Sequence, residues 1–77
     1  MAGVVRVQVV NSCAASRPVL AALRAHSRLE QVGPDAYDAH VEGAEDPGRA
    51  MAELAGALDR EVTPDWDEVV SLSPRGS

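Results

Sequence analysis

Residues 4–23, VVRVQVVNSCAASRPVLAAL, decide the fold, because they hold a strand, a polar loop and a helix in one unbroken unit. From Val4 to Val10 apolar and polar residues alternate. Val5, Val7 and Val9 fall on one side, Arg6 and Gln8 on the other. Period-two alternation rich in β-branched residues is the pattern of a half-buried strand. Arg6 and Gln8 imply that the second face of the sheet is wet or meets a partner, unlike a parallel sheet covered on both sides. Residues 11–16 form a polar loop that carries the only cysteine, Cys13. Ser16 suits the N-cap of the following helix, with Arg17 and Pro18 in its first turn, where a missing N–H costs nothing. Ser12 as the cap would push Pro18 into the helix interior, at a cost of ~3 kcal/mol. Val19, Leu20, Ala22 and Leu23 then make the apolar stripe, and the helix fades around His26 to Arg28.

The rest of the chain varies the same unit. Leu29 to Val32 is a short run with apolar residues, and Gly33-Pro34-Asp35 is a turn by composition. Tyr37 to Gly43 alternates again, with Tyr37, Ala39 and Val41 inward and Asp38, His40 and Glu42 outward, so a hairpin turns around Gly33 to Asp35. Asp46-Pro47 reads as a helix start, Asp46 as N-cap and Pro47 at the first helical position. Met51, Leu54, Ala55 and Leu58 form its stripe, and Pro64 ends it. Thr63 can cap a short turn, Trp66 folds over the end of the core, and residues 67–72 make a last strand with Val70 and Leu72 inward.

The order β-α-β-β-α-β points to a ferredoxin-like two-layer α+β sandwich: a four-stranded antiparallel sheet with two helices on one face and the other face open. If the short second strand is absent, the alternative is a βαβαβ arrangement on three strands. The polar set Arg6, Gln8, Asp38, His40 and Glu42 favours four strands, since all five then share the open face. Residues 1–73 make one domain, and residues 74–77 a tail.

Composition narrows the function. Of 77 residues only Tyr37 and Trp66 are aromatic, so the core is built from Val, Leu, Ala and Met. Such a core is marginal at this size, and a partner surface can supply what it lacks. The net charge of −5 argues against nucleic acid and against an anionic membrane surface. All seven basic residues are arginine, a bias that suggests a GC-rich bacterial coding sequence. The N-terminus lacks a signal-peptide pattern and no apolar run approaches a membrane span, so a cytoplasmic protein is the simplest reading. One cysteine cannot close an internal disulfide.

In this layout three loops share one end, residues 11–16, 33–35 and 62–66, and gather Ser12, Cys13, Ser16, Arg17 and Trp66 as a candidate ligand site beside a helix N-terminus. Here two resemblances arise. The run Asn11-Ser12-Cys13-Ala14-Ala15-Ser16 resembles the metal-binding loop of heavy-metal-associated domains, with Ser16 where that family has its second cysteine. The resemblance implies a Cu(I) role, yet soft Cu(I) wants both thiolates. The run Ser16-Arg17-Pro18-Val19-Leu20 is similar to the strand-to-helix corner of ACT regulatory domains, with Val19 at the position of a ligand-approach glycine; this implies a regulatory module that binds an amino acid.

No nucleophile–base pair, phosphate loop or paired metal spacing stands in the sequence, so neither an enzyme, a metal site nor a cofactor is expected. Asp38, His40 and Glu42 share one side of a strand, but alternating charges on a wet face are commoner than a metal site. The leading expectation is a non-enzymatic interaction or adaptor module, binding a protein partner or a second copy through Arg6, Gln8, Asp38, His40 and Glu42 or through an edge strand. The alternative is a regulatory module that binds a small ligand or metal at the Cys13 end. Trp66 reads as a core lid, or as an interface anchor if it is exposed.

Overall fold

The computed structural model describes residues 3–74. Its elements are β1 (Gly3–Val9), α1 (Ser16–His26), β2 (Arg28–Gly33), β3 (Ala36–Val41), α2 (Pro47–Glu61), a 3-10 turn (Pro64–Glu68) and β4 (Val70–Pro74). The strands form one four-stranded sheet in the order β2-β3-β1-β4, with every neighbouring pair antiparallel. This makes a small α+β domain on four strands, not three. Val5 and Val7 from β1, Ala39 and Val41 from β3 and Val70 from β4 meet Val19 and Leu23 of α1 and Leu54 and Leu58 of α2 in a single buried cluster. Both helices therefore cover the same face.

Local chemistry explains most of the boundaries. Asp46 caps α2, its carboxylate accepting from the Arg49 N–H at 2.9 Å, with Pro47 directly after it. Thr63 Oγ1 accepts from the Asp65 N–H at 3.2 Å and opens the 3-10 turn. The turn before Ala44 is made by Gly43, whose φ of +84° lies in the left-handed region that glycine enters without strain.

Five expectations need correction. Ser16 is the first residue of α1 and not its cap; Ala15 holds that place without a side-chain bond. The Ser16 hydroxyl instead donates to the Cys13 carbonyl at 2.7 Å, so it closes the preceding turn. Val10 lies beyond β1 and is 56% exposed. The buried stripe of α2 is Ala50, Leu54, Ala57 and Leu58, while Met51 and Ala55 are half-buried on its flank. Leu54 and Leu58 keep their expected places, and in the first turn Ala50 takes the buried position, close against Gly3 of β1. Asp67 and Glu68 belong to the 3-10 turn, and β4 starts at Val70. Of the expected tail, Pro74 is the last residue of β4, and residues 75–77 lie outside the described residues.

The contact between β1 and α2 makes a prediction. A Cβ placed on Gly3 would stand 2.8 Å from both Ala50 Cβ and the Asp46 carbonyl oxygen, and 3.0 Å from Ala44 Cβ. Backbone and helix-cap atoms cannot swing aside as a flexible side chain can. Gly3→Ala is expected to destabilise the domain by about 1–3 kcal/mol, read as a lower urea midpoint at unchanged m-value.

Candidate binding edge and groove

The phase of the backbone ladder decides which groups are free for a partner. The Val9 N–H donates to the Asp35 carbonyl at 2.7 Å, and the Val10 N–H to the Val69 carbonyl at 2.9 Å. Odd residues of β1 therefore bond toward β3 and even residues toward β4. Ser71 and Ser73 stand opposite Gln8 and Arg6, so their backbone groups turn to β1. Those of Val70 and Leu72 turn outward, and among the described residues no strand lies on that side of β4.

The two edges of the sheet differ in kind. Strand β2 carries Arg28 and Glu30 and has a register irregularity between Gln31 and Gly33. Charge and a bulge both discourage strand addition. Strand β4, Val-Ser-Leu-Ser-Pro, bears no charge, and only Pro74 at its end restricts pairing. Alongside β4 runs a groove of ≈ 460 Å³, lined by Met51, Ala52 and Ala55 of α2, by Trp66 and Asp67 of the 3-10 turn, and by Val70, Ser71 and Leu72. Trp66 is half-buried at its rim, and the indole N–H donates to Asp59 Oδ1 at 2.6 Å. That bond holds the ring against the end of α2, at the rim of the groove.

The expected open-face set is less uniform than its alternation suggests. Arg6 Nε donates to Asp38 Oδ1 at 2.7 Å across β1 and β3. The Asp38 side chain is 7% exposed, against 34% for Arg6. Asp38 is thus a buried acid and not a solvated one, because Arg6 faces it from β1 and Glu30 from β2 in the strand register. Gln8 is exposed. His40 is half-buried, and its Nε2 lies 3.6 Å from Glu30 Oε1, too long for a hydrogen bond. Glu42 is exposed in the turn beyond the end of β3, so it does not continue the series of Asp38 and His40 along one strand. A second cleft, ≈ 510 Å³, opens at the end of α1 between Arg24, His26, Arg28, His40 and Glu42. His26 Nε2 there meets Glu61 Oε2 at 2.5 Å.

At the Cys13 end, Asp35 of the 33–35 turn is bonded to Val9 of β1, and the Asn11 N–H donates to the carbonyl of Val69, which follows the 3-10 turn, at 3.2 Å. Ser12, Cys13 and Arg17 are exposed. They and Ser16 line neither cleft. The Trp66 indole turns instead to the groove at α2 and β4, which separates it from the residues it was grouped with. Among the described residues no three His, Cys, Asp or Glu side chains come together as a metal site, and no helix is long and apolar enough to cross a membrane.

Sequence reasoning missed the groove itself. Its signal was divided between Met51 and Ala55, assigned to the core stripe, and Trp66, assigned to a lid. No protein-family model, no curated protein and no solved structure matches this chain.

Proposed function

We propose that the domain is ferredoxin-like and serves as a non-enzymatic interaction module that takes an extended segment of a partner protein onto the outer edge of β4. The strand order β2-β3-β1-β4 with two helices on one face supports the fold. The function rests on one observation: the uncharged edge, with Val70 and Leu72 backbone groups turned outward, borders an apolar groove lined by Trp66. Outward N–H and C=O groups select an extended backbone as occupant, because a helix has already satisfied its own. Alternate side chains of the added strand would enter the groove against Met51 and Leu72 and gain apolar burial. Four residues of edge, Val70 to Ser73, span roughly 13 Å and accept about five residues of partner.

The test is panning of a phage-displayed library of random linear peptides on wild type and on Leu72→Pro. Proline at 72 removes an N–H that points away from β1 and spares the ladder bonds of Ser71 and Ser73. Wild type is expected to enrich sequences with apolar residues at alternate positions, and Leu72→Pro to lose them at an unchanged circular dichroism spectrum. Equal enrichment on Leu72→Pro, or no enrichment on wild type, would overturn the reading.

A further inference from the structure

Resting on the strand-addition reading, we propose that the segment taken up by β4 is basic: apolar at alternate positions, with arginine or lysine at the end that lies beside the 3-10 turn. The floor of the groove is apolar, but the end at which β4 begins is acidic. Residues 59–68, DREVTPDWDE, hold five carboxylates and one cation, Arg60. Glu61 is engaged by His26 on the far side of α2, and Asp59 by the Trp66 indole. Asp65, Asp67 and Glu68 are exposed without a basic partner among the described residues, and Asp67 lines the groove.

An occupant that covered these carboxylates with apolar or acidic residues would desolvate or repel them, whereas a guanidinium or ammonium group pairs with them at the rim. A second copy of this chain also has an alternating β4, but each copy carries −5. Long-range repulsion opposes that encounter and favours a cationic segment. Charge at this rim acts on association rate and selectivity, while the apolar floor supplies most of the hold.

The experiment titrates the protein with three synthetic peptides, each about nine residues of alternating valine and serine, flanked at both ends by two arginines, two serines or two glutamates. Trp66 fluorescence reports binding, and light scattering over a concentration series reports self-association. The arginine peptide is expected to bind at least tenfold tighter than the serine peptide, with the glutamate peptide weakest. That preference should shrink severalfold between low and physiological salt, and in Asp67→Asn/Glu68→Gln. Equal binding of the arginine and serine peptides would overturn the charge inference and leave strand addition standing. Failure of all three would overturn both. A stable dimer at low micromolar concentration that excludes the arginine peptide would make a second copy the occupant and overturn the inference.

Discussion

Leu58→Ala is expected to cost about 3 kcal/mol of folding stability, within the 2–5 kcal/mol usual for a buried leucine truncated to alanine. Leu58 is 0% exposed and belongs to the cluster that joins both helices to the sheet. Its carbonyl also accepts from the Val62 and Thr63 N–H groups, at 3.0 and 3.1 Å, so the end of α2 is anchored at the same residue. Much of the surrounding core is valine and alanine on short stems, which refill a cavity poorly. A domain of this length has a total stability of roughly 4–12 kcal/mol, so the variant sits near the limit of folding at 37 °C. Urea unfolding followed by circular dichroism checks it, with Val32→Ser as control. Val32 is 45% exposed, and its replacement should stay within about 0.5 kcal/mol of wild type. A loss under 1 kcal/mol for Leu58→Ala would mean that α2 is not seated as described.

Arg6→Met is expected to cost about 2–3 kcal/mol, because it leaves the carboxylate of Asp38 in place without the guanidinium that faces it. The methionine keeps most of the stem's apolar contact, so the loss reports the charge and not the packing. Arg6 is partly exposed and some water reaches the pair, which holds the value below the 3–5 kcal/mol of a fully buried one. Asp38→Asn alone should cost less, and the double variant Arg6→Met/Asp38→Asn less than the sum of the two. A coupling of 1–2 kcal/mol in the double-mutant cycle is the expected reading. Additive losses would show that the two side chains do not act as a pair.

What the chain discloses about itself is mostly local. Asp46-Pro47 caps α2 because a carboxylate and a pre-set φ act within one turn, and Thr63 opens the 3-10 turn for the same reason. Gly33-Pro34-Asp35 turns the hairpin through conformations those residues favour. The binding edge is different in kind. Nothing in Val70 to Pro74 says that the strand lies at the border of the sheet; its pairing with β1 does, and those residues are more than sixty positions away. The burial of Asp38 likewise depends on a residue far from it in sequence, Arg6, 32 positions away, which flanks it on one side as Glu30 does on the other. Alternation placed Asp38 on the correct face, but the number of strands flanking β3 determined how deeply it sits. The apolar periodicity along α2 placed Leu54 and Leu58 correctly but chose Met51 and Ala55 where Ala50 and Ala57 are buried; at Ala50 the reason is the close approach of Gly3, far from it in sequence.

The most direct test of the account is amide hydrogen exchange of β4, measured by NMR with and without a saturating amount of the arginine-flanked peptide. In the free protein the Leu72 amide, turned outward, should exchange fast, while the Ser71 and Ser73 amides, bonded to β1, should exchange slowly. With the peptide bound, the account predicts that Leu72 becomes protected at least tenfold and that Ser71 and Ser73 change little. Binding that leaves Leu72 unprotected, or that places the protection on β2 instead, would contradict it.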